Sequence, residues 1–118
     1  MALSYFYKNE AEQYAFYRIP KAMMTEEIFS SLSLEAKVLY GMLLDMMSYS
    51  AKNRWLDDKN RVFVIYPVST IQEDLSISKG KALECLQELE DIGLIDRKHR
   101  GQGKPGYIYV KSFMVNHK

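Results

Sequence analysis

Residues 69–93 read STIQEDLSISKGKALECLQELEDIG, and this stretch decides the fold. Ser69 and Gln72 have the spacing of a capping box, which predicts the start of a short helix. After a two-residue turn, Ser78 is placed to cap a second helix, and Gly93 stands where a glycine commonly ends one. Two helices joined by so short a turn are typical of a helix-turn-helix.

The residues after Gly93 predict a β-hairpin. Residues 94–98 alternate as a strand, residues 99–106 form a loop rich in glycine and proline, and residues 107–113 form the partner strand. Residues 61–66, RVFVIY, are β-branched and aromatic and predict a third strand beside the hairpin. The expected fold is therefore α+β: a winged helix with a small three-stranded sheet.

Upstream, Ser33 is predicted to cap a long amphipathic helix. Its apolar residues recur at three- and four-residue spacing: Leu34, Val38, Leu39, Met42, Leu43, Met46 and Met47. Before it we predict a strand near residues 15–19 and a short helix capped by Thr25, with Ile28 and Phe29 facing inward. One compact domain results, with residues 1–30 as an N-terminal arm and residues 31–118 as the winged helix.

The composition is that of a soluble globular protein. The 118 residues are 47% hydrophobic and 26% charged, and no apolar run approaches the roughly 18–20 residues of a membrane span. The first ten residues lack the order of a signal peptide, and the single Cys85 excludes an intramolecular disulfide. We therefore expect a cytoplasmic protein.

Charge is divided unevenly along the chain. Residues 96–118 contain six lysines and arginines and one acidic residue, a net charge of +5, whereas residues 1–95 have a net charge of −4. Such asymmetry indicates either a face that binds a polyanion or a solvated basic tail, and charge alone does not separate the two.

The helix after Ser78 is the first candidate for DNA contact. Ala82, Leu83, Leu86 and Leu89 are predicted to face inward. The outward face is basic or neutral in its first half and acidic over residues 87–91, as in a helix whose leading turns enter the major groove while the acidic end points away. A solvated helix face of mixed charge is the alternative. The candidate contacts on the two helices are Ser69, Thr70, Ser78, Lys79, Gly80, Lys81 and Glu84.

Each residue type in this set has a chemical reason. Lys79 and Lys81 can reach a phosphate or a guanine edge, and Glu84 can accept from a cytosine amino group. Gly80 permits close approach of the backbone to DNA. The helix starts at Ser69 and Ser78 attract phosphates, although each serine is equally consistent with a simple cap.

The loop over residues 97–106, RKHRGQGKPG, is the second candidate. Four permanent cations on a glycine-rich hairpin tip can follow a phosphate backbone or enter the minor groove. The spacing of its glycines matches neither common nucleotide-binding loop motif. The candidate contacts here are Lys98, His99, Arg100, Gln102 and Lys104.

The residues give little support to catalysis or to a metal or cofactor site. Cys85 lies among leucines and is predicted to pack in the core, and the two histidines are too few and too distant to define a metal site. We expect a protein that is not an enzyme, with no catalytic residue, no metal and no cofactor.

The arm is crowded with aromatic residues, which favours an interface because tyrosine is enriched there. They pack either against a second copy, giving a homodimer, or against the open side of the domain's own helices. The candidate dimer residues are Tyr5, Phe6, Tyr7, Tyr14 and Phe16.

Six segments together resemble the N-terminal domain of the RepA-type replication initiators of plasmids from Gram-positive bacteria, the RepA_N family. They are YAFYRIP at 14–20, LEAKVLYGMLLD at 34–45, RVFVIY at 61–66, GKA at 80–82, LEDIGLID at 89–96 and GKPGYIYV at 103–110. The resemblance implies a winged helix that binds repeated double-stranded sites at a plasmid origin as a dimer. It also implies a C-terminal domain, absent from this chain, that engages host replication proteins, so that the chain is a fragment.

Sequence-specific binding of double-stranded DNA at plasmid origin repeats, initiating plasmid replication, is therefore the leading hypothesis. A winged-helix transcription regulator would use the same surface on different DNA. Similar domains also occur in primosome proteins of the DnaD type, so a protein-interaction module is the third hypothesis.

Overall fold

The computed structural model describes residues 2–112 and shows an α+β winged helix. Four α-helices precede the hairpin: α1 (Lys21–Thr25), α2 (Leu34–Lys52), α3 (Val68–Leu75) and α4 (Lys79–Asp91). The strands are β1 (Ile95–Lys98) and β2 (Tyr107–Val110), and short 3-10 turns lie at Glu10–Gln13 and Glu27–Phe29. No helix within residues 2–112 is both long and apolar enough to cross a bilayer.

The helix-turn-helix of α3 and α4 is confirmed, with one local correction. Ser76 adopts a left-handed conformation at the end of α3, and the Ser78 hydroxyl accepts the Lys81 backbone N–H at 3.1 Å. Gly93, at φ +90°, follows α4 as predicted. The Ser69 capping box is wrong, because α3 begins two residues earlier than predicted. Pro67, whose ring presets its φ, is the N-cap and gives no side-chain bond.

The third strand was predicted in the right place, beside the hairpin, but the sheet of the described residues has two strands instead of three. β1 and β2 pair antiparallel from Ile95↔Val110 to Lys98↔Tyr107, and this two-stranded hairpin is hereafter the wing. The backbone of residues 61–66 pairs with the wing only at the bridge Val64↔Ile108, with N–H···O distances of 2.9 Å in both directions. The backbone of residues 61–63 instead pairs with residues 55–57. The second strand ends at Val110, so its predicted extension is wrong for residues 111–112, and residue 113 lies outside the described residues.

The core lies between α2, α3, α4 and the wing. Leu39 and Leu43 of α2, Leu89 of α4 and Ile95 of β1 are all fully buried in this one core. The Tyr40 hydroxyl donates to the Lys111 carbonyl at 2.6 Å, which ties α2 to the end of the wing. Burial raises the pKa of the Cys85 thiol, consistent with the predicted packing role.

Three apolar residues predicted to face inward are exposed. Leu34 and Ile28 are 65% and 69% exposed, and Leu83 is 41% exposed. In α2 the buried residues start at Ala36, and Leu34 lies before them in the first turn. In α4 the core face is completed by Cys85 rather than Leu83.

The segment before α2 also differs from the prediction. Residues 15–19 form neither a strand nor a helix, and Thr25 ends α1 instead of capping a helix, its hydroxyl donating to the Lys21 carbonyl at 3.3 Å. Met23 and Phe29 are buried in the core. The predicted boundary between the arm and the winged helix at residue 30 stays a prediction. Met23 and Phe29 lie on the arm side of that boundary, and their burial anchors the arm to the winged helix.

The segment before α1 lies against α2 at Gly41. A Cβ at this position would lie 3.0 Å from the Ile19 Cγ1 and 3.1 Å from the Arg18 carbonyl oxygen. The glycine therefore permits the arm to approach the helix backbone closely.

Candidate nucleic-acid interface

The outward face of α4 is defined by its burial pattern. Ala82, Cys85, Leu86 and Leu89 face the core. The exposed residues of the helix's first two turns are Lys79, Gly80, Leu83 and Glu84. Three predicted contact residues, Lys79, Gly80 and Glu84, therefore share one exposed face with Leu83.

Lys81 lies at the edge of this face. Its Nζ is 4.0 Å from Glu35 Oε2 on α2, and its side chain is partly covered. An ion pair at this distance and exposure contributes little to stability, so the ammonium can turn toward an anion at small cost.

The start of α4 has the geometry of an anion site. The Ser78 hydroxyl satisfies the Lys81 N–H, and helix geometry leaves the N–H groups before it without intrahelical acceptors. Ser69 and Thr70 lie in the first turn of α3, where Ser69 is exposed and Thr70 is half-buried with its N–H bonded to the Pro67 carbonyl at 3.0 Å.

The acidic half of α4 holds the helix in place. The Glu88 carboxylate accepts the Ser33 backbone N–H at 2.6 Å and the Ser33 hydroxyl at 3.1 Å, at the N-terminus of α2. Glu90 accepts from the Arg97 Nε and Nη2 at 3.0 and 2.6 Å, which joins α4 to β1. The sequence predicted only that these carboxylates point away from phosphates. It did not reveal their hydrogen-bond partners, because those partners lie on other elements.

The cations of the wing fall into two groups. Arg97 is neutralised by Glu90, and Arg100 is folded onto the wing itself, its guanidinium 4.3 Å from the Tyr107 ring centroid and bonded to the Pro105 carbonyl at 2.9 Å. The remaining predicted contacts of the tip are exposed: Lys98, His99, Gln102 and Lys104.

The tip conformation depends on glycine. Gly101 and Gly103 have φ values of +100° and +79°, a region that other residues rarely adopt. A Cβ at Gly106 would lie 2.8 Å from the Lys98 carbonyl, so the two sides of the loop can close only around a glycine.

An aromatic stack packs against Tyr107 of the wing, and it was not predicted from the sequence. The rings of Phe63 and Tyr107 are stacked with centroids 3.8 Å apart, and Trp55 stacks on Phe63 at 6.5 Å. The Arg61 guanidinium lies 4.9 Å from the Tyr109 centroid. The aromatic content of residues 55–66 and 107–109 was the available signal, but it does not reveal which rings meet.

A groove of about 310 Å³ separates α4 from the wing. Leu83 and Leu86 line one side, and Lys98, His99 and Pro105 line the other. The exposed edge of α4 and the base of the wing tip therefore border one concave surface.

The aromatic residues of the arm lie on the outside of the domain. Tyr5, Phe6, Tyr7, Tyr14 and Phe16 each remain more than half exposed. Tyr14 makes edge-to-face contacts with Phe6 and Phe16, with centroids 5.8 and 6.2 Å apart. Phe16 also lines a pocket with Gly41 and Leu44 of α2, while more than half of each of these rings stays open to solvent.

Known proteins resemble the chain along most of its length. The sequence model of the family RepA_N, "Replication initiator protein A (RepA) N-terminus", matches residues 15–118. A "41 kDa protein" of Lactobacillus helveticus is 27% identical over 95 residues, which are 78% of this chain and 27% of that protein; the chain thus spans about a quarter of that relative's length.

Solved structures agree with this match. One described as "N-Terminal domain of DNA binding protein" is 31% identical with a TM-score of 0.77, covering 98% of this chain and 88% of that one. "Structure of Rep-DNA complex" is 32% identical with a TM-score of 0.77, covering 97% and 88%. "Structure of MDR initiator" is 26% identical with a TM-score of 0.73, covering 96% and 89%.

Proposed function

Because the chain belongs to the family of replication initiator protein A (RepA) N-termini, we propose that it binds double-stranded DNA sequence-specifically at repeated sites of a plasmid origin and so initiates plasmid replication. One observation carries this proposal: Leu83, on the exposed face of the first half of α4, and Lys98 and His99, at the base of the wing tip, line the same groove. A helix that enters the major groove and a hairpin that follows the adjacent backbone need this arrangement.

The two halves of the surface have different tasks. Lys79, Gly80, Lys81 and Glu84 face base edges and the nearest phosphates, because the N-terminal turns of a docked helix lie deepest in the groove. Lys98 and Lys104 contact phosphates, and His99 and Gln102 add hydrogen bonds along the same strand. Arg100 leaves the Tyr107 ring to join them, exchanging a cation–π contact for a phosphate.

Footprinting on the DNA of the chain's own replicon tests the function. We expect protection of repeated sites, each covering one face of the helix over about one turn per bound domain. Absence of protection at low salt would overturn the proposal and favour a protein-assembly role, and protection confined to a promoter would favour a transcription regulator.

A variant pair separates base reading from backbone contact. Lys81→Ala should relax discrimination at one base position and cost ~1–3 kcal/mol on the preferred site. Glu35→Gln, which removes the partner of Lys81 on α2 but not the lysine, should leave discrimination intact. If Lys81→Ala weakens all sequences equally, Lys81 contacts a phosphate instead.

We also propose that the arm joins two copies of the chain through its exposed aromatic residues. Large apolar rings left in water favour association, because burying their surface stabilises a complex. The chain lacking residues 1–14 should sediment as a smaller species than the whole chain. An unchanged oligomeric state would contradict an interface in the arm.

The rest of the proposal concerns the larger protein. The chain acts by binding, without catalysis, in the cytoplasm where plasmid DNA is replicated. A further C-terminal domain recruits host replication proteins to the origin. Pull-down of replication proteins by the whole initiator, but not by this domain alone, is the expected result.

A further inference from the structure

Leu83 is placed unlike the other leucines of α4. Leu86 and Leu89 are buried in the core, whereas Leu83 is 41% exposed although the apolar spacing predicted it inward. The core face is complete without it, since Ala82 and Cys85 are fully buried on either side. Part of Leu83 therefore lies in the groove that it shares with Leu86, and the rest is left in solvent beside the exposed Lys79, Gly80 and Glu84.

The position of Leu83 is that of a base-contacting residue. It follows Lys79 by one helical turn and Gly80 by three residues, so it shares a face with both. It also lines the groove that separates α4 from Lys98 and His99 of the wing. Any duplex that contacts the start of α4 and the wing tip together therefore covers Leu83.

The chemistry of this side chain restricts what it can read. Leucine has neither donor nor acceptor, and the thymine 5-methyl is the apolar group that a base pair displays in the major groove. The polar neighbours on the same face can bond to the other base edges, and Gly80 leaves room for the bases to approach.

We propose that Leu83 is a specificity-determining residue that contacts the 5-methyl group of a thymine in the major groove, an assignment that rests on the DNA-binding function proposed above. Contact with one methyl group contributes about a fourfold change in affinity, or roughly 0.8 kcal/mol. Leucine at this position thereby adds a preference for thymine to a surface that otherwise selects by hydrogen bonds.

The test uses duplexes selected from a random pool by the unmodified chain. Each thymine of the selected site is replaced in turn by deoxyuridine, which lacks only the methyl group. The unmodified chain should lose about fourfold in affinity at one position and little at the others. Leu83→Ala should bind the thymine duplex about as weakly as the unmodified chain binds that deoxyuridine duplex, and should not distinguish the two.

Ile28→Ala is the matched control. Ile28 is also exposed and apolar, but it lies beside Ile92 and Gly93 at the other end of α4. It should keep the full sensitivity to the methyl group. Circular dichroism of both variants should match the unmodified chain, because each truncated side chain is exposed.

Two results would overturn the assignment of Leu83 while leaving DNA binding in place. In one, the unmodified chain binds duplex DNA but no thymine-to-deoxyuridine replacement changes its affinity. In the other, Leu83→Ala retains the same sensitivity as the unmodified chain. If the unmodified chain selects no duplex at low salt, the proposed function itself fails, and the role of Leu83 with it.

Discussion

Removal of the Glu88 carboxylate should loosen α4 from α2. This carboxylate accepts two hydrogen bonds from Ser33, at 2.6 Å from the backbone N–H and at 3.1 Å from the hydroxyl, in a partly buried site. Hydrogen bonds to a charged group contribute about 1.5–3 kcal/mol each in favourable cases, and the N-terminus of α2 adds about 0.3–1 kcal/mol. Because water reaches part of the site and can replace some of these bonds, we expect Glu88→Ala to cost about 2 kcal/mol.

Denaturant unfolding followed by circular dichroism measures this cost. Glu84→Ala is the matched control, since it makes the same change on the exposed face of the same helix and should stay within about 0.5 kcal/mol of the unmodified chain. Glu88→Gln, which keeps one carbonyl acceptor, should fall between the two. If Glu88→Ala is no less stable than Glu84→Ala, the Ser33 contact does not hold α4, and the reasoning is refuted.

Three further perturbations have definite signs. Gly41→Ala should lower the free energy of unfolding by about 1 kcal/mol despite the better helix propensity of alanine, because its Cβ would press on the Arg18 carbonyl. Thermal denaturation measures this loss, and a more stable variant would contradict the close approach. Desolvation pulls the pKa of Asp57 upward, but hydrogen bonds from Arg61 outweigh it and hold that pKa well below its usual range. The stability that this pair contributes is therefore present above roughly pH 4, and it is lost as the pH falls toward the pKa of Asp57 in the folded chain. Asp57→Asn should therefore flatten the pH dependence of unfolding between roughly pH 4 and 2, and an unchanged dependence would count against the pair. Burial raises the pKa of the Cys85 thiol, so alkylation by iodoacetamide should be slow in the folded chain and fast in denaturant; equal rates would contradict its burial.

Local chemistry made part of the fold predictable. Ser33, Ser78 and Gly93 act within four residues of their own positions, and each does in the structure what its residue type indicates. The Ser69 box failed because a stronger local constraint, the fixed φ of Pro67, starts the helix earlier. The capping pattern at Ser69 and the fixed φ of Pro67 predict different helix starts, and the helix follows Pro67.

Contacts between distant residues were not predictable in the same way. The Glu88–Ser33 bonds join positions 55 residues apart, and the Phe63–Tyr107 stack joins a loop to a strand. Periodicity finds apolar stripes, but it does not show which edge of a stripe meets a neighbouring helix, and so Leu83 was placed inward. The sequence named α4 and the wing tip as the candidate elements, which stays a prediction, whereas the place of Leu83 in the groove between them emerged only from their packing.

The salt dependence of duplex binding tests the central claim most directly. If Lys79, Lys98 and Lys104 each neutralise one phosphate, a plot of log affinity against log salt should fall with a slope of about −2.7 or steeper. Lys104→Ala should reduce that slope by about 0.9, whereas Lys52→Ala, at the exposed end of α2, should leave it unchanged. A flat response, or no duplex binding at low salt, would contradict the assignment of this surface to DNA.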